Sequence, residues 1–128
     1  YGPDCWGLTA SDNHEGYSAH APDNDLGVIA PTAAVSSLPY APDLVMPALR
    51  HFHDDLGDRI YGELGFVDAF NETVGWAAKT HLAIDQGPIV VMIENHRSSL
   101  IWDLVMSDER VRRGLARLGF TSPHLATA

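Results

Sequence analysis

Apolar and polar positions alternate in register with a helix over several stretches of the chain. The segment "APDLVMPALRHFHDDLGD" places Leu44, Leu49, Phe52 and Leu56 at helical spacing, opens with Pro42 and Asp43, and meets Gly57 as a C-cap, with Pro47 bending its first turns. Before it, "PTAAVSSL" sets Pro31 at a first helical position with Pro39 closing a short helix. Further on, "GPIVVMIENHRSSLIWDLVMSD" starts with Gly87 and Pro88 at N-cap and first-turn positions. Its run Ile89 to Ile93 reads alone as a buried strand, but the apolar pattern continues through Leu100, Ile101, Trp102, Leu104 and Val105, so length favours a buried helix. "DERVRRGLARLGF" puts acids in front, arginines behind and Gly119 at its stop, a final amphipathic helix.

The rest reads as punctuation. Residues 1 to 29 scatter glycine and proline among Asp, Asn and Ser, a long irregular loop of the kind that carries function. "RIYGELGFVDAFNE" reads as a loop with one extended piece, and "TVGWAAKTHLAI" as a short helix weakened by Gly75. There are no repeats and no low-complexity tracts, and the expected class is all-α.

The 128 residues are 45% hydrophobic, which suits a folded domain. A formal net charge of −9 opposes nucleic acid and anionic membrane surfaces and leaves neutral ligands such as sugars unopposed. One cysteine, Cys5, excludes an internal disulfide framework and reads as a small buried residue. The apolar run before Glu94 is too short to span a bilayer, so no membrane insertion is expected. The opening "YGPDCWGLTASD" lacks an initiator Met and reads as the interior of a longer protein.

Phosphate loops, C-x-x-C pairs, H-E-x-x-H and G-x-S-x-G are absent from the sequence. His51, His53, Asp54 and Asp55 invite a metal reading, but helical residues two apart do not share a face, so no metal and no cofactor is expected. Acids set among apolar or aromatic residues are more informative: Asp12, Asp68, Asp85 and Glu94. A buried carboxylate is costly unless it is paired or used. Each also has a structural reading, Glu94 with Arg97 as a helical pair, Asp12 and Asp85 as loop braces. Over a helix, Asp85 and Glu94 would stand roughly 13 Å apart, too far for an acid and base pair on one glycosidic bond. Aromatic residues accompany the acids: Trp6 and Tyr17 near Asp12, Phe66 and Phe70 beside Asp68, then Trp76. With Asn71, Gln86, Asn95 and Arg97 they make the mixture of stacking faces and polar partners that sugar sites use.

The strings "WGLTASD", "IAPTAAVSSLP", "GFVDAFN", "IDQGPIVVMIEN" and "RSSLIW", in this order, resemble the glucoamylase-like family, which includes endo-β-1,2-glucanases and the transglycosylating domain of cyclic β-1,2-glucan synthases. The resemblance implies that residues 1–128 are the C-terminal portion of an (α/α)6 toroid, incomplete here, with site loops at 1–30, helices at 31–120 and a tail at 121–128. It implies hydrolysis or transglycosylation of β-glucan, most plausibly β-1,2-glucan, by paired carboxylates. The implied catalytic candidates are Asp85, first among them, Glu94 and Asp12. Asp68 joins Trp6, Tyr17, Phe70, Asn71, Trp76, Gln86, Asn95 and Arg97 as substrate-binding candidates. The implied partners are an oligo- or polysaccharide and the remainder of the same catalytic domain, without which this stretch is expected to be inactive. A hydrolase would be periplasmic or extracellular, a cyclic glucan synthase membrane-associated. The sequence departs from the family at Leu26, Gly27 and Val28, where an Asp-Gly-Thr is usual, and at His96 and Ser99, where a Tyr and a Gly are common. A non-catalytic sugar-binding or structural helical domain is the competing reading.

Overall fold

The computed structural model describes residues 1–122 and residue 125. Most of the 121–128 tail, His124 included, therefore lies outside the described residues. Clustering of backbone contacts divides the chain into Tyr1–Ile93 and Glu94–Ala128.

In the first unit the glycine-rich opening is not structureless. It forms a hairpin of β1 (Ser11–Asn13) and β2 (Gly16–Ser18), antiparallel with Asp12 opposite Tyr17. Helix α1 (Pro31–Val35) begins at proline as its sequence suggests, and α2 (Pro42–Arg50) does the same. α2 then widens into a π-helical turn, His51–Asp55, closed by Leu56 N–H donating to the His51 carbonyl at 3.2 Å. Gly57 does not cap α2; it opens the short α3 (Gly57–Ile60).

Two hairpins follow: β3 (Tyr61–Gly62) with β4 (Gly65–Phe66), and β5 (Phe70–Asn71) with β6 (Trp76–Ala77). The helix expected over "TVGWAAKTHLAI" is absent, because Gly75 sits at φ +66° in the turn of the β5–β6 hairpin, where its N–H donates to the Glu72 carbonyl. With three two-stranded antiparallel sheets among the described residues the chain is mixed α and β, not the all-α class that its helical periodicity suggests and that the resemblance to a toroid implies. Strands two or three residues long are too short to leave an alternating pattern that periodicity could detect.

The core of this unit is aromatic and aliphatic. Phe52 stands edge-on to Phe70 at 5.4 Å and to Phe66 at 6.3 Å, with Ile60, Val35 and Ile29 packed into the same cluster. The opening loop is fastened to it at Gly7, whose carbonyl accepts from Ala30 N–H at 2.9 Å. A Cβ at Gly7 would lie 2.5 Å from the Ala30 oxygen, so only glycine permits this approach.

Helix α4 (Ala83–Ser98) starts four residues before the expected Gly87 and carries Pro88 inside it. Ser99, left-handed at φ 60°, separates it from α5 (Leu100–Ser107). α6 (Glu109–Arg117) is capped by the Asp108 carboxylate, which accepts from Arg110 N–H, and ends before Gly119 at φ +78°. Neither α5 nor α6 has a buried residue; Leu100, Leu104 and Val105 are exposed. No helix among the described residues is long and apolar enough to cross a membrane.

Candidate active site

Three aspartates that the sequence separates by 73 positions converge in the first unit. Asp12 comes from β1, Asp68 from the loop between β4 and β5, and Asp85 from the first turn of α4. Each is placed by backbone bonds. Asp68 N–H donates to the Thr80 carbonyl at 3.0 Å, and Asp12 N–H donates to Asp68 Oδ2 at 2.7 Å. Thr80 Oγ1 donates to Asp12 Oδ2 at 3.3 Å, and Thr32 Oγ1 of α1 donates to the Asp85 carbonyl at 3.0 Å.

The carboxyls of Asp68 and Asp85 lie close enough that each shifts the other, and only 3% and 9% of these two residues remain exposed. Two carboxyls so close cannot both ionise readily, and they hold one proton between them. Burial, then the charge of Asp68 and the bond to it, then Asp12, push Asp85 up to about 6. Asp68 is raised by burial too, but the Asp12 N–H and the bond from Asp85 pull it back. The proton therefore belongs mainly to Asp85. Its Oδ2 is buried with no hydrogen-bond partner among the described residues, an uncompensated oxygen that favours the protonated carboxyl.

The pair opens onto a cavity of about 390 Å³ walled also by Tyr17, Thr32, Ser36 and Ile84. A second concavity, about 460 Å³, is lined by Asp12, Asn13, Trp76 and Lys79. The β1–β2 hairpin contributes to both walls, through Tyr17 to the first and Asp12 to the second.

The other candidates fall elsewhere. Phe70 is fully buried in the core; Asn71, equally buried, donates to the Leu26 carbonyl at 2.8 Å and accepts from Val74 N–H at 3.3 Å. Trp6 packs against the core, and Gln86 donates to the Phe66 carbonyl at 2.7 Å. In the second unit Asn95 is buried, its side-chain oxygen accepting from Trp102 N–H at 3.0 Å. Glu94 accepts from Arg97 through both carboxylate oxygens, at 3.0 and 3.1 Å, and from Ser98. These bonds, Ser98 first, lower its pKa, and all of them are local to the helix end.

Sequence reasoning missed three contributors. Thr80 and Thr32 reach the aspartates from 68 and 53 positions away, and nothing local marks them. His20 is buried with Nε2 3.4 Å from Asn13 Nδ2, and its charge, when present, would lower Asp68. In the sequence it is one of several scattered histidines.

The Glycoamylase family model, described as "Putative glucoamylase", matches residues 1–109. An exo-β-1,2-glucooligosaccharide sophorohydrolase acting at the non-reducing end, from Parabacteroides distasonis, is 47% identical over 120 residues, 92% of this chain and 17% of that protein. A solved structure of the endo-β-1,2-glucanase from Chitinophaga pinensis, in complex with sophorotriose and glucose, is 55% identical with a TM-score of 0.91, over 97% of this chain and 30% of that one. A solved structure from Bacteroides uniformis is 64% identical with a TM-score of 0.93, again over 97% and 30%. This chain thus spans less than a third of the length of these relatives. The family match takes in all three converging aspartates and most of the chain, and the chain belongs to the glucoamylase-like family.

Proposed function

We propose that this chain supplies one wall of the cleft of a glycoside hydrolase acting on β-1,2-glucan, with Asp85 carrying a proton to the glycosidic oxygen or from the attacking water. The observation that carries this is the buried Asp68–Asp85 pair at the mouth of a cavity. A carboxyl held near 6 is matched to proton transfer around neutral pH. Two relatives named as β-1,2-glucan hydrolases support this substrate class.

Asp68 is not the second catalytic group. Inverting glycosidases hold their carboxyls about 6.5–9.5 Å apart and retaining ones about 5 Å, and two buried carboxyls that press on each other leave no room for a sugar or a water between them. Asp68 holds and tunes Asp85, while Asp12 fixes Asp68 through its N–H. The counterpart acid or base comes from the part of the longer relatives that this chain does not span. Tyr17, exposed on the first cavity, and Trp76, on the second, are the aromatic faces offered to glucose rings.

The test replaces Asp85 with Asn in the full-length protein and measures reducing ends released from linear β-1,2-glucan. Loss of general acid–base catalysis lowers turnover by about 10² to 10⁴-fold. Undiminished turnover contradicts the role. Sugar binding by the wild type with no turnover at all would instead favour a non-catalytic carbohydrate-binding domain.

A further inference from the structure

Among the described residues, a further group of chemistry-bearing side chains converges. Cys5 from the opening loop, His51 at the start of the π-helical turn, and Glu72 in the β5–β6 turn bring a sulfur, an imidazole nitrogen and a carboxylate oxygen within 4.8 Å of one another. We propose that these three side chains bind a divalent cation of zinc-like softness.

The distances fit such an ion. Tetrahedral zinc, with bonds of about 2.3 Å to sulfur and about 2.0–2.2 Å to nitrogen and oxygen, sets S···O edges near 3.6 Å and N···O edges near 3.4 Å. Cys5 Sγ lies 3.6 Å and His51 Nε2 3.7 Å from the same Glu72 oxygen, Oε2. The imidazole is oriented as metal-bound histidines are: its Nδ1 is 2.9 Å from Asp55 Oδ2, one helical turn away. With the proton on Nδ1 donated to Asp55, the Nε2 lone pair faces the cluster, the carboxylate–histidine arrangement that supports metal ligands. A π-helical turn is itself uncommon and recurs at functional sites. The three side chains also line a cavity of about 270 Å³ together with Asp4, which adds negative charge.

Two other uses of the cluster fit less well. A reactive thiol needs an electropositive setting, whereas burial first and Glu72 next push Cys5 up to about 11. A simple His–Glu ion pair would not require the buried sulfur at the same oxygen. On binding, the ion takes the Cys5 thiolate and releases the thiol proton to solvent. The site would then tie the opening loop, α2 and the β5–β6 hairpin together.

The test titrates Co²⁺ into the metal-free full-length protein and follows thiolate-to-cobalt charge-transfer absorption. One equivalent is expected to produce the band, Zn²⁺ to abolish it, and Cys5→Ser to remove it. Asp55→Asn, which touches no metal, is expected to weaken binding by about 10 to 100-fold. Circular dichroism checks that each variant folds; should Cys5→Ser fail, Glu72→Gln and His51→Gln serve, each expected to weaken Co²⁺ binding at least tenfold. Absence of the band in the wild type, its persistence in folded Cys5→Ser, or unchanged affinity in the folded Glu72 and His51 variants overturns the proposal.

Discussion

Asp85 and Glu94 stand on the same helix, α4, yet their surroundings drive them in opposite directions. Asp85 meets two other carboxylates brought from distant parts of the chain and is pushed up to about 6. Glu94 meets a serine and an arginine within four residues of itself and is pushed down. The residue type is nearly the same, and so is its apolar sequence setting. What separates the acid pushed up from the acid pushed down is whether its nearest neighbours arrive through tertiary folding or through the helix repeat.

That contrast can be broken experimentally. The largest expected effect is on turnover of linear β-1,2-glucan by the full-length protein. Asp85→Asn loses about 10² to 10⁴-fold, whereas Glu94→Gln keeps a rate within a few-fold of wild type. Comparable losses in both variants would erase the distinction. A smaller effect is expected on stability. The folded state binds the Asp85 proton more tightly than the unfolded chain does. The resulting stabilisation is complete below the ordinary aspartate value of 3.8 and is lost as pH rises through about 6. Asp85→Asn is therefore expected to match wild type in Tm at pH below about 3.8 and to melt higher than wild type above about 6. A gap that did not change across this window would show that Asp85 is not held protonated. The smallest effect belongs to Glu94→Gln in the same melts, which barely moves Tm because the pair it breaks is exposed.

The sequence makes some of this legible and hides the rest for physical reasons. Helices α1, α2 and α6 announce themselves through Pro31, Pro42 and the Asp108 to Gly119 bracket, signals contained within a few residues. Asp85 stands out because it is an acid among apolar neighbours, and the ordered motifs give the family. The hairpins are hidden because glycine turns with strands of two or three residues look like loop. The partners of Asp85 are hidden because Thr32 and Asp68 approach it across α1 and the β4–β5 loop, contacts that no local pattern encodes. The Cys5, His51 and Glu72 cluster is hidden for the same reason, its members standing far apart in the chain. Candidates such as Phe70 and Asn71 carry the composition of a sugar site, yet their side chains are turned into the core.

The most direct measurement is the pH dependence of kcat/KM on linear β-1,2-glucan for the full-length wild type and its Asp68→Asn variant. Wild type is predicted to show a limb near 6, falling above it if Asp85 gives the proton and below it if Asp85 takes one. Removing the Asp68 charge takes away its repulsion and leaves a weaker, uncharged acceptor, so the limb should move towards the ordinary aspartate range. A limb at the same pH in both proteins would contradict the shared-proton pair on which the account rests.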